Sequence, residues 1–120
     1  SYYIKTNICP DFGYDRGGKR CHSMKRDQID KVHETDLYEA ILKLQTIEEV
    51  ESFFLDLCTP AEREGLTDRW RVAQMLVQKL PYRQIAAETA VSTATIVRVA
   101  RFLNGGNDGY RTIMRRMGKT

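Results

Sequence analysis

From residue 35 onward the apolar positions of this chain repeat at the helical period, and no stretch alternates in the way a half-buried strand requires. That property confines the chain to an all-α architecture, because no segment carries the two-residue pattern from which a sheet is built. Leu37, Ala40, Ile41 and Leu44 line one face of a short first helix. Thr46-Ile47-Glu48-Glu49 then reads as a capping box, in which the Thr46 hydroxyl and the Glu49 carboxylate each accept from a backbone amide at the start of a second helix. Val50, Phe53, Phe54 and Leu57 supply the face that this second helix buries. Thr59-Pro60-Ala61-Glu62 repeats the signature, with proline at the first helical position, where its missing N–H is harmless. The third helix is long. Its stripe runs through Leu66, Trp70, Ala73, Leu76, Val77 and Leu80, and Pro81 ends it.

Residues 1 to 33 have a different character, with Pro10, Gly13, Gly17, Gly18, scattered tyrosines and no sustained period. They are expected to form a flexible or non-native arm ahead of one helical domain over residues 34–120. Met24 opens the charged stretch Lys25-Arg26-Asp27 just before the periodic region, which makes it a second possible start of translation. A genuine basic arm accounts for the same residues equally well.

A chain of 120 residues suits one domain near the size at which a single core becomes adequate, with room for help from a partner. Its longest apolar runs, such as Phe53-Phe54-Leu55, fall far short of the ~20 residues needed to span a bilayer, so no membrane association is expected. The three cysteines, Cys9, Cys21 and Cys58, are odd in number and follow no ligand spacing, which fits a reducing cytoplasm. Cys21-His22 and His33 lack the second pair that a zinc site needs, so neither metal nor other cofactor is expected. No nucleophile, base and orienting acid can be assembled, and no phosphate-binding glycine loop is present, so the chain does not read as an enzyme. Glu62 and Glu64 are accounted for by the favourable position of acids at a helix start.

Charge is strongly polarised along the chain. Residues 34 to 68 hold ten acidic side chains against two basic ones, whereas residues 69 to 120 hold ten basic against two acidic. Such asymmetry suggests a basic face for a polyanion and an acidic face turned away from it.

The segment from Pro81 to Val99, continuing to Leu103, has the grammar of a helix-turn-helix at about residues 82–103. Ile85 and the small Ala86 and Ala87 suit a first helix that a second must cross closely. Ser92 is an N-cap, and Ile96, Val99, Ala100 and Leu103 form the inward stripe of the second helix. A turn of this kind normally places glycine where φ is positive, and Ala90 stands there instead, at a cost on the order of 1 kcal/mol. Thr93 and Thr95 can hydrogen-bond to base edges, and Ala94 and Val97 can touch thymine methyls. Ser92 with the free amides beyond it favours phosphate, and Arg83, Gln84, Arg98 and Arg101 complete the expected DNA-contacting set. The competing readings are two amphipathic helices that merely pack, or a module that docks another protein. The last segment, from Tyr110 to Met117, presents Ile113, Met114 and Met117 to a core or a partner. Its Arg111, Arg115 and Arg116 form either a solvent face or a reach toward DNA.

The stretch Cys58-Thr59-Pro60-Ala61-Glu62-Arg63-Glu64 through Arg69 to Arg71, with Gln84 to Arg98, resembles the Trp repressor family, whose namesake is a standard helix-turn-helix example. Ser92-Thr93-Ala94-Thr95-Ile96 and the segment Leu103 to Tyr110 look closer still to the Trp repressor-related YerC/YecD branch. The resemblance covers about residues 35 to 118. It implies a six-helix chain that interlocks with a second copy as an intertwined homodimer, binds double-stranded DNA and represses transcription. In that family two arginines hold the indole of the corepressor between them, and the matching positions are Arg69 and Arg98. The glycine that leaves room for the indole is matched by Val99, and the serine that meets the ligand's amino group by Phe102. This pocket of Arg69, Arg98, Val99 and Phe102 is therefore expected not to take tryptophan, whether or not it takes another corepressor. Arg69 and Arg98 are expected to contact phosphate or to pair with acids such as Asp68 and Glu88.

Overall fold

The structure, a computed structural model, describes residues 26–119, with side chains from residue 30. Cys9, Cys21, His22 and Met24 lie outside the described residues. Six helices follow one another: α1 (Arg26–Leu42), α2 (Ile47–Leu57), α3 (Pro60–Val77), α4 (Tyr82–Thr89), α5 (Thr93–Gly105) and α6 (Gly109–Arg116). Among the described residues there is no strand. The chain divides into two compact units, residues 1–50 and 51–120, which are described separately.

In the first unit α1 begins at Arg26, upstream of the periodic segment and inside the stretch expected to be an arm. Leu37, Ala40, Ile41 and Leu44 are half-buried, while Val32, Tyr38 and Leu42 are exposed. The capping box at the start of α2 forms as expected. The Thr46 hydroxyl accepts from the Glu49 amide at 3.1 Å, and the Glu49 carboxylate accepts from the amides of Gln45 and Thr46.

In the second unit the remainder of α2 buries none of its residues fully. Phe53 and Phe54 are half-buried and meet edge to face, but Leu55 and Leu57 are about half exposed. The expectation that Val50 and Leu57 lie on a buried face is thus not met within one chain. Thr59 caps α3 with both halves of the box in place, its hydroxyl accepting from the Glu62 amide and its own amide donating to the Glu62 carboxylate.

The core is assembled by α3, α4, α5 and α6. Helix α3 packs against the other three, and α5 packs against α4 and α6. Val72, Ala73, Met75, Ile85, Ile96, Val99 and Met114 form the buried cluster. All four positions of the expected α5 stripe are buried. The expected α3 stripe captured Ala73 but not Val72 or Met75, because α3 is enclosed by α4 and α6 as well as by α5 and so buries a wide arc. Leu66, at the amino half of the same stripe, is exposed.

Helix α3 also stops sooner than its period suggests. Lys79 adopts a left-handed conformation with φ 62°, its amide donates to the Leu76 carbonyl, and the Leu80 amide donates to the Met75 carbonyl. These two bonds are a Schellman closure, so Leu80 packs on the core from a turn and not from the helix. At the start of α6, Tyr110 stacks on Trp70 of α3 with ring centroids 6.3 Å apart. Trp70 is thereby a packing anchor, as its place in the stripe suggested.

Candidate DNA-recognition helix and the adjoining pocket

The amino end of α5 is built by the turn that precedes it. Helix α4 ends at Ala90, which takes φ 57° and ψ 18° and donates its amide to the Ala86 carbonyl. The positive φ expected at this alanine is therefore present. Thr89 ties the same turn, its hydroxyl donating to the Ile85 carbonyl and accepting from the Val91 amide. The chain then reverses into Ser92, whose extended backbone and hydroxyl cap α5 by accepting from the Thr95 amide at 3.2 Å. Buried Ile85 on α4 and Ile96 on α5 join the same core cluster and hold the two helices together.

This geometry sorts the expected contact residues. Ser92, Thr93, Ala94, Val97, Arg98 and Arg101 are exposed on α5 and its cap, and Arg83 and Gln84 are exposed at the start of α4. Thr95 differs from the others, since it is half-buried and its hydroxyl is hydrogen-bonded to that of Ser92 at 2.9 Å. Gln84 donates to the Glu88 carboxylate one turn later. The first amides of α5, at Thr93 and Ala94, have no carbonyl four residues back inside the helix and point out of its open end. An uncapped pair of amides at the positive end of a helix dipole favours an anion there.

Arg69 and Arg98 are brought together, on α3 and α5, along the wall of a cavity of about 260 Å³ that Val99, Phe102 and Tyr110 also line. Neither arginine forms an ion pair with Asp68 or Glu88 among the described residues. The Arg98 guanidinium lies instead over the Phe102 ring, 5.4 Å from its centroid, at the spacing of one helical turn. Glu88 accepts from Gln84 through its carboxylate and from Arg71 through its backbone carbonyl. Val99, at 1% exposure, serves the core and the cavity wall at once. Tyr110 belongs to this wall too, and no reading of single residues had placed it there, because the turn before α6 carries it across from a different element.

Among the described residues no helix is long and apolar enough to cross a membrane.

Two short helices crossed over a small apolar contact, with the amino end of the second left bare, define a helix-turn-helix protein of all-α type. Residues 33–118 match the family described as Trp repressor protein, and the chain belongs to that family. An uncharacterised protein of Bacillus subtilis, YerC, is 45% identical over 96 residues, which cover 78% of this chain and 92% of YerC. A crystal structure of a candidate Trp repressor from Staphylococcus aureus superposes with a TM-score of 0.73 at 41% identity, covering 81% of this chain and 97% of that one. A TrpR-like protein from Eubacterium eligens superposes with a TM-score of 0.72 at 42% identity, covering 78% and 96%. The family is one of DNA-binding regulators and not of enzymes.

Proposed function

We propose that this chain is a cytoplasmic transcriptional regulator, acting as a repressor, that binds double-stranded DNA as a homodimer through the amino end of α5. The observation that carries the reading is the exposed, Ser92-capped start of α5, with Thr93, Ala94 and Val97 exposed along it and Arg83 and Arg101 exposed on the same two helices. Thr93 and Ala94 are short enough to let the backbone approach base edges, and the arginines supply phosphate contacts on either side.

The homodimer is supported by the apolar surface that one chain leaves uncovered. Leu55, Leu57 and Leu66 are between 41% and 50% exposed, and Leu42 and Ile47 of the other unit more than 80%. Large apolar side chains left uncovered, taken within each unit by itself, mark surfaces for interaction. Two recognition helices related by a twofold axis then meet successive major grooves, which calls for a roughly palindromic site with half-sites about 34 Å apart.

Tryptophan is not the effector in this reading. The phenyl ring of Phe102 already lies against Arg98, so the guanidinium has an aromatic partner from its own helix. Val99 adds a branched side chain to the same wall.

The decisive experiment selects bound fragments from genomic DNA and measures binding of the enriched duplex against salt. A palindromic consensus and a steep loss of affinity with salt are expected. A chain that shifts no duplex at any salt concentration would instead be an interaction module. Calorimetric titration with L-tryptophan is expected to give no saturable heat, and a saturable isotherm removes the effector statement alone.

A further inference from the structure

The carboxyl end of the proposed recognition helix is closed by a side chain from the next helix. Arg111 of α6 donates from Nε to the Leu103 carbonyl at 3.0 Å and from a terminal guanidinium nitrogen to the Asn104 Oδ1 at 3.2 Å. Both acceptors lie in the last turn of α5, where carbonyls have no partner further along the helix. A cation there also meets the negative end of the helix dipole, and the planar guanidinium reaches two acceptors at once, which an ammonium group cannot do with the same geometry.

The backbone beyond that turn is poorly suited to hold the helix end alone. Gly105 and Gly106 close α5, and Gly106 leaves helical conformation with its amide on the Phe102 carbonyl. A Cβ at Gly106 would overlap that same carbonyl, so the chain passes too close for any side chain to stiffen it. Helix α4 has a weaker counterpart, in which Arg71 of α3 donates to the Glu88 carbonyl at 3.4 Å.

We propose that Arg111 is a positioning residue for DNA binding: it fixes the carboxyl end of α5 to α6, and so the pitch of α5, and makes no phosphate contact itself. The inference rests on the DNA-binding reading above. It removes from the expected footprint a base that the charge pattern counts with Arg115 and Arg116.

The test compares the parent protein with Arg111→Ala, Arg111→Lys and Arg83→Ala on a duplex enriched from a random-sequence pool by the parent. Salt-dependent affinity is read alongside amide hydrogen exchange at Leu103 to Gly106. Arg111→Ala is expected to bind about tenfold more weakly, the loss of one charge-assisted interaction. Its slope of log affinity against log salt should be unchanged and its exchange at the end of α5 faster. Arg111→Lys should stay within about twofold of the alanine variant, because the charge without the fork does not restore the brace. Arg83→Ala should reduce the slope by about 1.8, about 0.9 for each of the two copies in the dimer, and leave exchange at that turn as it was. The proposal is overturned if Arg111→Ala reduces the slope as Arg83→Ala does, if lysine restores full affinity, or if neither affinity nor exchange moves. Should the alanine variant fail to fold by circular dichroism, the lysine variant carries the same comparison. A parent that enriches no duplex removes the regulator reading and this positioning role with it, whereas the exchange data then report separately on the brace.

Discussion

Ala90, like Lys79 and Asp108, holds a left-handed backbone that glycine adopts without a Cβ penalty. Ala90→Gly is expected to stabilise the fold by roughly 1 kcal/mol in chemical denaturation while leaving DNA binding intact. Loss of stability on that substitution would mean that the methyl group packs more than the conformation costs. Glu62 offers a second test at this scale. Hydrogen bonds from the Thr59 backbone, and then its side chain, hold the carboxyl below the usual glutamate range, whereas in the unfolded chain it titrates normally. A depressed folded-state value means that the stabilisation is complete above the unfolded value and is lost as pH falls through the folded one. The stability difference between the parent and Glu62→Gln should therefore be constant near neutrality and shrink in acid. A difference independent of pH would show that the carboxylate charge plays no part in the cap. Both features were legible in the sequence, because a cap and a tight turn depend only on neighbours within a few residues. Lys79 was not: its left-handed turn interrupts an apolar period that continues smoothly to Leu80.

At the scale of elements, α5 was the most legible helix, and for a physical reason. It packs on α3, α4 and α6 through one narrow stripe, Ile96, Val99, Ala100 and Leu103, and leaves its opposite face bare. A single period of 3.6 describes such a helix completely. For α3, enclosed over a wide arc, one stripe describes only part of the burial, which is why Val72 and Met75 escaped it. The division of labour between the helix-turn-helix residues is testable on the enriched duplex. Thr93→Ala is expected to change which base pairs are preferred at one position of each half-site, by about 1–3 kcal/mol of discrimination. Arg83→Ala should weaken specific and random duplexes alike, and a binding selection repeated with each variant separates the two outcomes. Identical losses on both kinds of DNA from both variants would contradict the orientation of α5. Ile85→Ala tests the support beneath them: with the side chain fully buried, about 2–5 kcal/mol of stability should be lost.

At the scale of the whole molecule, the uncovered leucines dominate. Leu57 is 49% exposed and is not a member of the buried core cluster, so Leu57→Glu should leave that core intact. Sedimentation is expected to show a parent dimer and, for the variant, a shift toward monomer at the same concentration. A parent that sediments as a monomer would overturn the symmetric binding mode. The expected stripe on α2 was correct as a pattern and wrong as a statement about one chain, since period identifies which residues want cover and not what supplies it.

The amino-acid sequence by itself determined the local elements of this protein. Helix starts, the capped turn at Ser92, the positive φ at Ala90 and the inward face of α5 all follow from interactions within one or two turns, and the family follows from motifs written at those places. Tertiary structure alone decided where distant side chains meet. It carried Tyr110 across to the wall that Arg69 lines and turned Arg111 back onto the end of α5. The acceptors and faces in those contacts are backbone carbonyls, aromatic rings and cavity walls, which have no spacing along the chain and exist only once the helices have crossed.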